Sequence, residues 1–156
     1  MHWILREESS RQPFFDAVHA ALAPGGVFAF EMGGLGNVSE MRTALLMAAS
    51  RRVGLEAAKA ADPWFFGDED WAKAGLEKAG FRVDKVEREW RPTTADKGGV
   101  EGWLRLFGSH IIEAVPEDQR EAAIKEAAEV LREVSKKPDG GEMVSYVRLR
   151  ALATKV

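Results

Sequence analysis

The stretch Ala21-Leu22-Ala23-Pro24-Gly25-Gly26-Val27-Phe28-Ala29-Phe30-Glu31-Met32 decides how this chain is read. Its Leu-x-Pro-Gly-Gly turn ends a helix, because Pro24 cannot continue one and two glycines can take the positive φ angles of a sharp reversal. The nearly all-apolar run 27–32 then predicts a buried strand, of the kind that sits centrally in a parallel sheet with both faces covered. Its carboxyl end, Glu31-Met32-Gly33-Gly34-Leu35-Gly36-Asn37, is where open α/β sheets place their ligands.

The surrounding chain bounds the class of protein. Its 156 residues fit one domain over 1–156, long enough to bury a core. A formal net charge of −3 argues against a nucleic-acid protein, which would show a basic stripe. The absence of cysteine excludes disulfides and thiolate metal sites and fits a reducing compartment. No apolar run approaches the roughly 20 residues of a membrane span. The start, Met1-His2-Trp3-Ile4-Leu5-Arg6-Glu7-Glu8, lacks the pattern of a secretory signal, so a cytoplasmic protein without membrane partners is expected. Bulky Trp3, Ile4 and Leu5 at the tip read as the tail of a strand cut from its beginning.

Helical spacing of Phe14, Phe15, Val18, Ala21 and Leu22 predicts a helix over 7–22, capped by Ser9 or Ser10, with Pro13 in its first turn and His19 partly exposed. After the strand and the glycine loop 33–37, Ser39 is expected to cap a helix to residue 53, followed by a short one over 55–61. Trp64-Phe65-Phe66 then stands between turn formers. These aromatics either plug the gap between packed layers or line an apolar pocket or its lid. Asp68 caps a helix over 69–79 that Gly80 ends, and a more polar strand over 81–90, nearer an edge, stops at Arg91-Pro92. A helix over 100–115, apolar round most of its circumference, precedes a long charged helix to residue 137. The buried stripe of that long helix is Ile124, Ala127, Ala128, Leu131 and Val134, and a last strand covers 143–154. The architecture is α/β, with strands near 27–32, 81–90 and 143–154 and helical cap elements about 39–66 and 100–115.

Chemistry motifs are sparse. The glycines at 33, 34 and 36 do not match G-x-G-x-x-G, and no Lys-Ser/Thr pair follows them, so they read as a turn permitting close approach. The three histidines, His2, His19 and His110, have no metal-ligand spacing, and no metal is expected. There is no Gly-x-Ser-x-Gly nucleophile elbow.

The run from Phe15 to Glu31 resembles the Leu-x-Pro-Gly-Gly entry to strand five of class I S-adenosylmethionine-dependent methyltransferases. Ala79-Gly80-Phe81 looks like that family's entry into strand six, and His2-Trp3-Ile4 resembles the end of strand four in the branch related to trans-aconitate methyltransferase. The helix at 100–115, the long helix after it and a last antiparallel strand also fit that branch. By this resemblance the chain is a Rossmann-like methyltransferase domain's carboxyl-terminal half, lacking the strands that carry the glycine-rich cofactor loop and the ribose-binding acid. Whether it is an excised piece, a mispredicted gene start or a degenerate paralogue stays open.

The resemblance implies transfer of a methyl group from S-adenosyl-L-methionine to a small-molecule acceptor, with the cofactor bound by the full-length enzyme and not by this chain alone. It places His2 and Trp3 beside the cofactor, and Trp64, Phe65, Phe66 and Trp103 around the acceptor. Glu31 and Asn37 would make polar contacts at the strand end, with loop bracing as the alternative for Glu31. No catalytic residue is assigned, since positioning does most of the work in such transfers. From another class, the chain is a non-catalytic, self-associating domain that forms a homodimer through an exposed sheet edge.

Overall fold

The computed structural model describes residues 4–156. In chain order the elements are α1 Glu8–Ala21, β1 Val27–Gly33, α2 Ser39–Val53, α3 Leu55–Ala61, α4 Glu69–Lys78, β2 Phe81–Thr94, α5 Gly99–Phe107, α6 Ser109–Glu113, α7 Glu117–Ser135 and β3 Met143–Lys155. The strands form one sheet in the order β1-β3-β2. β1 and β3 are antiparallel, with Val27 opposite Thr154 and Gly33 opposite Arg148. β2 also runs against β3, because Asp84 meets Thr154 while Glu89, further along β2, meets the earlier Arg150. The α/β class, the three strand positions and the antiparallel last strand therefore agree with the sequence reading.

Two strand details differ. The run 27–32 is not a central strand covered on both faces: among the described residues β1 pairs with β3 alone. Its burial alternates, Phe30 and Met32 being buried while Val27 is 56% exposed. Valine and alanine at outward positions make a half-exposed strand read like a doubly buried one. β2 also continues through Pro92 to Thr94 instead of stopping there. As an edge strand it can carry a proline whose missing N–H faces away from the ladder.

The chain divides into two compact units, 1–37 with 64–91 and 147–156, and 38–63 with 92–146. In the first, α1 and α4 lie against one face of the sheet. Leu5, Phe15, Phe30, Met32, Leu76, Phe81 and Leu149 form the core there, with Phe14, Val18, Phe65 and Trp71 packed at its margin. Arg11 anchors the segment before α1, donating from Nε to the Leu5 carbonyl at 3.1 Å and from Nη2 to that of Arg6 at 3.2 Å. Glu7, without a side-chain cap bond, occupies the N-cap position expected for Ser9 or Ser10, which fall inside the first turn. Pro13 sits a turn deeper than expected, inside the helix. His19 is partly exposed and meets the Phe81 ring edge-on, 4.9 Å between centroids. Asp68 caps α4 as expected, its Oδ1 accepting the Trp71 N–H at 2.9 Å, and Gly80 leaves the helix at φ +95°.

The second unit is helical. α2 packs on α7 and α3, and α7 also meets α5 and α6. Ala44, Ala48 and Ala49 of α2 and Ala123, Ala127 and Ala128 of α7 are buried, small residues that let helix axes come close. Arg52 donates to Glu126 at 2.9 Å and ties α2 to α7. Three local readings change here. The cap of α2 is Val38, at φ 48° and without a side-chain bond, and Ser39 is the first helical residue. The predicted helix 100–115 breaks at Gly108 into α5 and α6. A Cβ there would lie 2.8 Å from the Leu45 side chain, so the break is a point of close helix contact. Finally, Val134 is 66% exposed and Ser135 closes the buried stripe of α7 at 3%. Three full turns of a 3.6-residue helix carry Ile124 back to residue 135, leaving 134 well off the face.

Candidate functional site

The carboxyl end of β1 belongs to the first unit and is built from two segments, 33–37 and 64–68. Gly34 and Gly67 form a parallel bridge, with Leu35 N–H donating to the Gly67 carbonyl at 2.8 Å. Gly34 N–H donates to the Val147 carbonyl at 3.0 Å and Asn37 N–H to that of Gly34 at 2.9 Å. Glycine is required at 33 by packing, since a Cβ would stand 2.7 Å from Phe66 Cε1 and 2.8 Å from Asn37 Nδ2. Asn37 is only 5% exposed, and its Oδ1 accepts the Val147 N–H at 2.8 Å.

These bonds bear on the cofactor. A loop that cradles a phosphate or a carboxylate presents free backbone N–H groups. Here the N–H groups of 34, 35 and 37 are all spent on the chain itself, and the glycines serve close packing. Those three N–H groups are therefore not available to a phosphate or carboxylate, and no step of S-adenosylmethionine chemistry is derived from these residues. His2 and Trp3, expected beside the cofactor, lie outside the described residues.

The three aromatics part company. Trp64, 8% exposed, stacks on Phe66 with 6.3 Å between centroids and 18° between planes. Phe65 turns towards the core, edge-on to Trp71 at 5.0 Å and beneath the Arg11 guanidinium, 3.6 Å from its ring centroid. Phe65 thus packs at the margin of the core, while Phe66 stands against Gly33 at the strand end and Trp64 stacks on Phe66. Replacing Asn37 with alanine is expected to cost about 1–3 kcal/mol of stability, since a buried N–H loses its acceptor. Urea unfolding would measure it, and an unchanged midpoint would show that the bond to Val147 contributes nothing.

Glu31 lies on the sheet face opposite α1 and α4. It accepts from Arg148 at 3.0 Å and from Arg150 at 2.5 Å, with Arg91 at 4.0 Å. Arg150 also pairs with Glu89. A groove of about 380 Å³ runs over this face, floored by Ala29 and Leu152 and walled by Glu31, Arg150, Lys85 and Glu87. The Arg150 hydrogen bond is the largest influence on the Glu31 carboxyl; burial opposes it, and with the Arg148 hydrogen bond added the carboxyl is held below its ordinary value of 4.5. A carboxylate kept ionised by guanidinium groups is a poor proton acceptor near neutral pH. Glu31 is a clasp across strands, a role its position alone did not disclose, although arginines two apart at 148 and 150 mark one face of a strand.

That clasp has a pH signature. Because folding lowers the pKa of Glu31, its stabilisation is present above about the unfolded value and is lost as pH falls through the folded one. Melting curves of the chain and of Glu31→Gln should differ modestly at neutral pH, as suits a partly exposed pair, and converge below pH 4.5. A constant offset down to the lowest pH would sink this assignment.

Trp103 belongs to the other unit. Its Nε1 donates to the Tyr146 hydroxyl at 2.8 Å, and its ring stands 5.1 Å from that of Phe107. The three side chains border a pocket of about 330 Å³ with Asp96 and Gly102. Sequence reasoning selected Trp103 without its neighbours, Phe107 and Gly102 of the same helix, Tyr146 of β3 and Asp96 of the loop after β2. Among the described residues no group of three histidines and carboxylates is placed to hold a metal ion, and no helix is long and apolar enough to cross a membrane.

No family model matches the chain. A protein of Schizosaccharomyces pombe named "Uncharacterized methyltransferase C70.08c" is 36% identical over 161 residues, covering 99% of this chain and 59% of that protein. Among solved structures, a candidate methyltransferase of Bacillus halodurans superposes with TM-score 0.47 at 10% identity, covering 92% of this chain and 57% of that one. The YcgJ protein of Bacillus subtilis gives 0.46 at 12% identity, with 92% and 57% covered. The chain is similar in sequence to that S. pombe protein over nearly its whole length, and it spans 59% of the length of the curated relative it matches.

Proposed function

We propose that this chain is the carboxyl-terminal, acceptor-side part of an S-adenosylmethionine-dependent methyltransferase acting on a small molecule, in the branch related to trans-aconitate methyltransferase. On this reading it binds no cofactor by itself. The observation that carries the proposal is the 36% identity to a protein named a methyltransferase, sustained across 99% of the chain. The commitment of the loop N–H groups at 34, 35 and 37 to internal bonds supports the second clause. Trp64 and Phe66 at the strand end would shape the acceptor side, and Trp103 would do so from its own unit.

Two titrations test it. Calorimetry of the chain alone with S-adenosylhomocysteine is expected to be flat, and a micromolar isotherm would refute its dependence on a second part. A chimera carrying this chain in place of the matching region of the S. pombe protein should fold and bind the same ligand. A folded chimera that fails to bind would remove the methyltransferase reading.

A second reading is favoured by β1, whose outer edge has no strand partner among the described residues and whose outward Val27 is 56% exposed. Open ladder edges template pairing with another chain. The chain would then form a cytoplasmic homodimer through β1. Light scattering on a sizing column decides this, since a clean monomer at high concentration removes it.

A further inference from the structure

We propose that the pocket beside α5 is a binding site for a small organic ammonium ion. It is formed within the 38–63/92–146 unit by Trp103, Leu106 and Phe107 of α5, Tyr146 of β3, and Asp96 and Gly102. The assignment concerns binding and does not rest on methyl transfer.

Shape and chemistry both point to this class of ligand. The volume of about 330 Å³ falls at the small end of ligand pockets. Three aromatic side chains share its wall. The Trp103 indole is fixed by its bond to Tyr146, so it is already oriented before a ligand arrives. Phe107 is 39% exposed and Leu106 is 68% exposed, large apolar groups left towards water at the rim. At Gly102 an added Cβ would meet nothing within 4 Å, so open space borders α5 there.

Charge selects among apolar ligands. Among the described residues Asp96 is the one charged member of the lining, which holds no lysine, arginine or histidine. Its carboxylate is held by a turn in which Oδ1 accepts the Gly98 N–H at 3.1 Å and its carbonyl accepts that of Gly99 at 2.9 Å. The nearby arginines are occupied elsewhere. Arg105 is paired with Glu101 and Glu121, and Arg132 with Glu101 and Glu142. Aromatic faces attract cations through the ring quadrupole, and a single carboxylate adds to that attraction while repelling anions. An alkylated ammonium satisfies both halves of the site: its methyl groups cover the rings and its charge meets Asp96.

The test uses the full chain and choline as probe, followed by tryptophan fluorescence and confirmed by calorimetry. Choline is expected to saturate the signal in the millimolar range or below. The neutral isostere 3,3-dimethylbutan-1-ol, of the same shape, should bind about tenfold more weakly. Asp96→Asn, which keeps the acceptor of the turn, and Trp103→Phe, which keeps an aromatic ring, should each weaken choline by ~3-fold or more. The proposal is overturned if choline shows no saturable binding, if the isostere binds equally well, or if Asp96→Asn leaves affinity unchanged. Choline binding by a chain whose chimera fails to take S-adenosylhomocysteine would leave the pocket standing and the methyltransferase reading lost; the reverse pattern would do the opposite.

Discussion

Replacing Phe15 with alanine is expected to lower the thermal midpoint of the chain by ~10 °C, a loss of about 3–5 kcal/mol at roughly 2–4 °C per kcal/mol for this size of chain. Phe15 is 1% exposed and stands at the meeting point of α1, α4 and β1. Its ring lies 5.5 Å from those of Phe14 and Trp71 and 6.0 Å from that of Phe30. α4 comes so close that a Cβ at Gly75 would stand 2.7 Å from Phe15 Cε2. Neighbours already in contact on every side have little freedom to fill the space left by a ring, so the cavity term adds to the transfer term. Phe15→Leu should recover more than half of the loss. A midpoint for Phe15→Ala within about 2 °C of the parent would mean that the core around it collapses freely.

Phe15 also shows what a sequence makes legible. Its helical spacing with Phe14 and Val18 marks an apolar face, and that face is the one buried against the sheet. Strand positions are as readable, because Pro24, Gly80 and the 138–141 turn punctuate the chain. What sequence conceals is which neighbour a surface meets. The run 27–32 has the composition of a doubly buried strand, yet Val27 and Ala29 face away from the core. The layer of α1 and α4 covers one face of the sheet, a long-range fact, and that explains the alternation. The break at Gly108 and the left-handed Val38 were likewise invisible, since both answer to contacts from elsewhere in their unit. The same limit applied to the sites. Glu31 could be named as a polar group at a strand end, but its three arginines come from β2 and β3. Trp103 could be named as a pocket aromatic, but Asp96, Phe107 and Tyr146 acquire meaning only once placed beside it.

Gly67→Ala should destabilise the chain by about 1–3 kcal/mol through overpacking, and it separates the two readings of Trp64-Phe65-Phe66. A Cβ at residue 67 would fall 2.1 Å from Trp71 Cε3 and 2.6 Å from Cδ2, far inside any tolerable contact. Neither side can easily yield. The indole is held against Phe15 and Phe65, and the Trp71 backbone N–H is the cap partner of Asp68. The backbone at 67 is bridged to Gly34 and accepts from Leu35. If 64–67 were a hinged lid, the segment would swing outward and the substitution would cost little. If it is a plug, with Phe65 as its inward tooth, the full penalty appears, and trimming the opposing ring relieves it. A double-mutant cycle with Trp71→Phe should therefore show a favourable coupling of about 0.5–3 kcal/mol in urea unfolding. Additive effects from the two substitutions would show that the indole is not what Gly67 accommodates. A near-neutral Gly67→Ala would return all three aromatics to the role of a movable cover over the end of β1.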